Sequence, residues 1–348
     1  MNFCSDNVTG GAPEILAHLA AVNDEPVMPY GADPVTQRVE ARLAALFERA
    51  PNAIASFPVA TGTAANALIL SCLAPPHGAV FCHRDAHINV DECGAPELMT
   101  GGAKLIPLEG EAAKLTPQTV ADALAQGWAG VVHHVQPACL SITQATEAGA
   151  VYTPDEVAAL AAVAHAHGLT LHMDGARFAN ALAAVGCTPA EMTWKAGVDA
   201  LSFGATKNGA LAAEAAVFFD PARAADFAFR RKRAGHLFSK MRFLSAQLEG
   251  YLADDLWLRN ARAANAMAAR LAEGLGRTPG VTLAAPVAAN EVFAHIPKAA
   301  AEALRGEGFQ FYPWTALGED CHRFVTAWNT KAEHVDRLLE TARRTKAA

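Results

Sequence analysis

LTLHMDGARF, Leu169–Phe178, and VDALSFGATKNG, Val198–Gly209, set the layout of this chain. Each is a short apolar run that ends in residues with chemistry to do. Leu169–Met173 delivers Asp174, and Val198–Phe203 carries Ser202 and delivers Thr206 and Lys207. Apolar runs of this length, bounded by Gly and polar residues, are expected to form buried parallel strands. Open parallel sheets bind ligands beyond the carboxyl ends of their strands. The sequence therefore offers an acid and a lysine to the same edge of one sheet. Taken singly, Asp174 reads as a helix cap and Lys207 as a solvated loop residue. On neighbouring strands they point to a shared site.

That pairing suggests pyridoxal phosphate. The cofactor needs a lysine for its Schiff base and a charge partner for its pyridine nitrogen. An aspartate in the second role keeps the nitrogen protonated, so that the ring can accept electrons from a substrate carbanion.

HMDGAR, His172–Arg177, followed by SFGATKNG, Ser202–Gly209, closely resembles the low-specificity L-threonine aldolases of the aspartate-aminotransferase-like PLP superfamily. The resemblance runs from SDN at Ser5 to RFVTAWNT at Arg323. It implies an α/β, fold type I, PLP-dependent transferase-like chain: a large domain with a mostly parallel seven-stranded sheet, over 1–245 with the N-terminal segment, and a small α/β C-terminal domain over 246–348. It implies that Lys207 carries the cofactor, with Thr206 beside it, that Asp174 pairs with the pyridine nitrogen, and that His87 stacks over the ring and helps proton transfer. Gly62 and Thr63 would hold the cofactor phosphate, and Arg242 would reach the phosphate of a neighbouring subunit. Arg323, helped by Arg177 and Ser5, would grip the substrate carboxylate. The implied reaction is retro-aldol cleavage of L-threonine, L-allo-threonine and related β-hydroxy-α-amino acids to glycine and an aldehyde. A phenylserine aldolase, or another PLP-dependent lyase or aminotransferase on the same scaffold, is the alternative. The family implies a homotetramer, a dimer of dimers with active sites at the subunit interface.

The bulk numbers fit a globular enzyme. The chain has 348 residues, 52% hydrophobic and 18% charged, with a net charge of −7. RRKR, Arg230–Arg233, is too short a basic run to suggest nucleic acid or an anionic membrane. Seven cysteines without a Cys-x-x-Cys pair suggest a reduced cytoplasmic protein with no disulfide framework. The N-terminus lacks the basic and apolar regions of a signal peptide. The apolar stretch Ala53–Leu73 is broken by Pro58, Gly62 and Asn66 and is not expected to cross a membrane.

Along the chain, Thr61–Thr63 is a small-residue turn opening a helix, whose free N–H groups and dipole suit a phosphate. His83 and His87 stand four apart, but no Glu or third ligand is apparent at useful spacing, so no metal site is expected. Tyr30, in a turn-rich loop, is most simply a packing aromatic. Strands are expected at Gly78–Cys82, Lys104–Pro107 and Ala129–Val135, the last holding His133 and His134. Thr153, Pro154 and Glu156 form a capping box. In SITQATEAGAVYT, Ser141–Thr153, one branch of the family carries a histidine considered for base duty; here Gln144, Ala145 and Thr146 remove it, leaving His87 or a water as proton acceptor. Leu244–Leu275 is expected to be one long helix bridging to a C-terminal β-β-α-β-β-α unit. Arg323 would open its final strand.

Overall fold

The computed structural model describes residues 1–24 and 26–344. The large sheet contains β1 (Ala55–Val59), β2 (Gly78–His83), β3 (Lys104–Leu108), β4 (Gln136–Thr143), β5 (Thr170–Gly175), β6 (Ala200–Gly204) and β7 (Glu214–Phe218). Their order is β1-β7-β6-β5-β4-β2-β3. Neighbours pair in parallel except at β7, which runs antiparallel to both β1 and β6. β1 therefore shares the direction of β2 to β6, and all of them end at one edge. The expected seven-stranded, mostly parallel sheet is present.

The strands of the middle are buried on both faces, β5 and β6 along their whole length. Helices cover both faces, so Thr170 and His172 of β5 and Ser202 of β6 are buried along with their apolar neighbours. Two glycines let the central strands converge. A Cβ at Gly175 would lie 2.6 Å from the Ser202 carbonyl, and one at Gly204 would lie 2.6 Å from the Ala176 carbonyl. The carboxyl ends that carry Asp174 and lead to Lys207 thus sit closer together than side chains there would allow.

The smaller sheet, β8 (Thr282–Leu283), β9 (Glu291–His295), β10 (Tyr312–Pro313) and β11 (Cys321–Val325), has the order β10-β11-β9-β8 and is antiparallel. With the helices Lys298–Gly306 and Ala332–Arg344 it makes a second core that contains Phe309, Phe311 and Phe324. Phe3 joins this core, and its backbone bonds to Gln310 and Val325 at 2.8 Å each. Arg323 lies in the middle of β11, not at its start.

Two other expectations fail. Ala129–Val135 is a turn, with the strand beginning at Gln136. Gly127 and Gly130 adopt positive φ, and the Gln136 side chain folds the segment over itself, accepting from Gly130 N–H and donating to the Trp128, Val131 and His134 carbonyls. His133 and His134 are exposed there. The Leu244–Leu275 stretch is two helices, Arg242–Leu252 and Leu256–Gly276. Asp254 and Asp255 break it with φ of 49° and 59°, in the left-handed region that aspartate enters more readily than most residues. The second helix passes from the large core at Ala261 to the small core at Ala268. Among the described residues no helix is long and apolar enough to cross a membrane.

Candidate active site

Beyond the carboxyl ends of the large sheet lies a cavity of about 330 Å³, lined by Gly62, Thr63, His87, Asp174, Arg177, Thr206 and Lys207 among others. That volume is near the lower end of the roughly 300–1,000 Å³ usual for small-molecule sites. Gly62 and Thr63 follow β1, His87 follows β2, Asp174 and Arg177 stand at the end of β5, and Thr206 and Lys207 follow β6. Thr61 caps the helix Gly62–Leu73 by accepting from Ala64 N–H at 3.1 Å. A Cβ at Gly62 would meet nothing within 4 Å, so the helix opens onto free space.

Asp174 is 4% exposed. Its Oδ1 accepts from Ala176 N–H at 3.0 Å and its Oδ2 from Asn66 Nδ2 at 2.8 Å. The same amide nitrogen donates to Glu92 Oε1 at 2.8 Å, which also meets His87 Nδ1 at 2.8 Å. The bond to Glu92 raises the proton affinity of His87 against the pull of burial, with Asp174 helping. Burial in turn raises the Glu92 carboxyl, against His87 and Asn66. The sequence suggested no acid partner for His87, and Glu92, five residues on, corrects this. His83 turns away, its Nε2 3.1 Å from the Gly110 carbonyl. The two histidines do not converge.

Lys207 lies in the turn Thr206–Asn208 just after β6. Glu214, at the start of β7, accepts from Ala205 N–H at 3.0 Å and Thr206 N–H at 3.4 Å, and so fixes this turn. Arg177 is bound bidentately by Asp6, Nε–Oδ2 at 2.8 Å and Nη2–Oδ1 at 3.1 Å, with Glu291 Oε2 3.4 Å from its Nη1. Burial would raise the Asp6 carboxyl, but Arg177 and Lys207 outweigh it and hold it below the usual range. Burial raises Glu291, against Arg177 and Arg323.

The other expected residues stand apart from the cavity lining. Ser5 caps the turn Asp6–Val8, its Oγ accepting from Asn7 N–H at 3.1 Å, and Asn7 rather than Ser5 faces the cavity. Arg323 donates Nη2 to the Cys4 carbonyl at 3.3 Å and lies 3.7 Å from Glu291, with its Nε unpartnered. Arg242 opens the helix Arg242–Leu252, and its Nε is also buried without a partner. Tyr30 is exposed under Lys232, 4.6 Å from its ring.

Sequence reasoning missed Asn66, Glu92, Glu147 and Glu214. Glu147 follows the very positions where Gln144, Ala145 and Thr146 had removed a candidate base. The signal was present: it is the one charged residue between Thr143 and Thr153.

The donor set fits pyridoxal phosphate. An amine and a buried carboxylate share one cavity, and an open helix N-terminus with no obstruction at Gly62 lies on the same wall.

Residues 2–299 match the beta-eliminating lyase family model. A low specificity L-threonine aldolase of Pseudomonas aeruginosa is 46% identical over 341 residues, covering 98% of this chain and 96% of the relative. One from a Pseudomonas species is 44% identical over 346 residues, covering 99% and 98%. The solved threonine aldolase of Leishmania major superposes with a TM-score of 0.91 at 29% identity, covering 99% and 98%. An aspartate aminotransferase of Rhodobacter sphaeroides shares the fold, with a TM-score of 0.71 at 18% identity over 99% and 91%.

Proposed function

The chain belongs to the beta-eliminating lyase family and is similar across its length to low specificity L-threonine aldolases; from that premise we propose how its own residues do the work. The enzyme is a PLP-dependent lyase that cleaves L-threonine and related β-hydroxy-α-amino acids to glycine and an aldehyde. The observation that carries this is Lys207 and Asp174 on one cavity beside the open N-terminus of Gly62–Leu73.

In this reading Lys207 supplies the amine that holds the cofactor, with Thr206 beside it. Gly62 and Thr63 hold its phosphate, and Asp174 keeps its pyridine nitrogen protonated. Bound there, the cofactor supplies an electron sink for the pair released when the Cα–Cβ bond breaks. His87, which lines the same cavity, would cover the cofactor and help keep water from it.

Arg323 grips the substrate carboxylate. Arg177 has two donors committed to Asp6 and a third facing Glu291, whereas Arg323 makes one hydrogen bond, to the Cys4 carbonyl, and its side chain is 16% exposed. Arg177 then acts by fixing Asp6 and Glu291, and Ser5 by shaping the turn that brings Asn7 to the cavity. A planar guanidinium orients a carboxylate as a point charge does not. Arg323 would in this way fix how the substrate presents its Cα–Cβ bond to the bound cofactor.

We also propose the two-domain division at 245/246; the two separate cores support two domains, with the large core taking residues as far as Ala261 and the small one starting at Ala268 on the same helix. A cytoplasmic location is supported by the seven free cysteines. A homotetramer with sites at subunit interfaces is supported by the exposed Phe229, Leu98 and Met28, and Arg242, at the start of the helix Arg242–Leu252, is proposed to meet a neighbour's cofactor phosphate.

The test is to incubate the purified enzyme with L-threonine, L-allo-threonine and phenylserine and measure glycine and aldehyde. Lys207→Ala is expected to lose both the absorbance of the covalently held cofactor and the cleavage. Retention of both sinks the assignment.

A further inference from the structure

For the Cα–Cβ bond to break, the β-hydroxyl proton must have somewhere to go. The geometry points to Glu147 as the group that takes it, an inference that rests on the aldolase reading above. Glu147 lines the same cavity as Lys207 and Asp174. One oxygen anchors it: Oε1 accepts from His87 N–H and from Thr143 Oγ1, each at 2.8 Å. Oε2 is buried and has no partner. A buried carboxyl oxygen left without a donor requires an explanation, and a lone pair kept for a travelling proton provides one.

The surroundings tune the group to that task. Burial pushes the Glu147 carboxyl up to about 7, against the His87 N–H and the Thr143 hydroxyl, and the Asp174 charge pushes the same way as burial. The other groups that feel its charge are Arg177, the Cys82 thiol and the Tyr152 hydroxyl. An acid–base group poised near neutral pH can both take and return a proton.

His87 is less suited. Its Nδ1 is committed to Glu92 at 2.8 Å, whereas Glu147 keeps a whole carboxyl oxygen without a partner.

The step balances. The Glu147 carboxylate takes the hydroxyl proton, and the O–H electron pair becomes the second bond of the aldehyde carbonyl. The Cα–Cβ bond breaks, and its pair stays with Cα, drawn toward the bound cofactor. A proton returned to Cα completes glycine, so threonine gives glycine and acetaldehyde with no atom gained or lost.

The experiment compares wild-type holoenzyme with Glu147→Gln. Glutamine keeps an acceptor oxygen for His87 N–H and Thr143 but cannot ionise. Two quantities are measured: kcat for threonine cleavage across the pH range around about 7, and glycine affinity from the cofactor's absorbance. The wild-type kcat is expected to rise with pH through an apparent pKa near about 7. The variant should lose about 100-fold or more in kcat and lose that limb, with glycine affinity within about threefold of wild type. A fall of less than about tenfold, or a retained limb, overturns the assignment. So does loss of glycine binding together with turnover, which would make Glu147 a clasp for its loop. A wild-type enzyme that cleaves no β-hydroxy amino acid overturns the aldolase reading itself, and the proton role with it.

Discussion

Asn66 donates one amide nitrogen to two carboxylates, Asp174 Oδ2 and Glu92 Oε1, each at 2.8 Å. Its Oδ1 accepts from Ser202 Oγ at 2.6 Å, and Ser202 Oγ meets His172 Nε2 at 3.1 Å. His172 is pushed down to about 4 by burial, against Asp174, so it stays neutral and holds one ring nitrogen as donor and one as acceptor. Ser141 Oγ completes the chain, 2.9 Å from His172 Nδ1. This buried row crosses β4, β5 and β6 and fixes the direction of the Asp174 carboxylate. Asn66→Ala should leave Asp174 Oδ2 buried without its donor, at about 1–3 kcal/mol, while Glu92 Oε1 keeps His87 Nδ1. Denaturation and cofactor release should both become easier, and a variant unchanged in both would detach Asn66 from this role.

The two arginines should separate cleanly. Arg177 is pinned between Asp6 and Glu291, all three nearly buried. Arg177→Ala leaves Asp6 without its cation and Glu291 with Arg323 alone, and should lower stability by about 3–5 kcal/mol. Arg323 is more open, with a side-chain exposure of 16%. Arg323→Ala should raise KM for threonine by about tenfold or more, the loss of a charge-assisted pair, while the cofactor stays bound and folding stability falls less than for Arg177→Ala. Equal KM values for wild type and Arg323→Ala would move the carboxylate grip elsewhere.

The sheet was legible because β5 and β6 are short, mostly apolar runs bounded by Gly and polar residues, ending in Asp174 and leading to Lys207. The capping box at Thr153 and Glu156 was legible because its chemistry is local. Ala129–Val135 misled for the opposite reason. Its valines have strand propensity, but Gly127, Gly130 and the side chain of Gln136 decide the backbone, and propensity yields to such contacts. Leu244–Leu275 misled because a long alanine pattern outvotes two aspartates in any window. The acids Glu92, Glu147 and Glu214 were hidden because their function depends on burial, and burial comes from residues far away in sequence. A lone glutamate in a loop reads as solvated until the loop is seen to close over it.

His87 offers a test of stacking against proton transfer. His87→Phe keeps a planar ring over the site and loses the bond to Glu92. It should hold the cofactor near wild-type affinity, whereas His87→Ala should loosen it by about 0.5–1.5 kcal/mol, the scale of an aromatic contact. Turnover of His87→Phe should fall less than that of Glu147→Gln. The reverse ranking, measured as kcat at one pH, would return the base to the imidazole.

Glu214 makes stability depend on pH in a direction opposite to most acids. Burial pushes its carboxyl from 4.5 to about 7, although Thr206, the Ala205 N–H and Lys207 pull it down. The folded chain therefore keeps a proton that the unfolded chain gives up. This contribution is fully present below about 4.5 and is lost as the pH rises through about 7. Glu214→Gln cannot ionise and escapes that loss, while its carbonyl still accepts from the Ala205 N–H. Across that window the stability of the variant relative to wild type should climb, by at most on the order of 3 kcal/mol. The difference is to be taken between the two proteins at each pH, because Glu147 titrates in the same range with the same sign and cancels in the comparison. Denaturant unfolding at a series of pH values reads it directly; parallel curves for the two proteins would mean that Glu214 is already ionised in the folded enzyme, with Lys207 holding its charge.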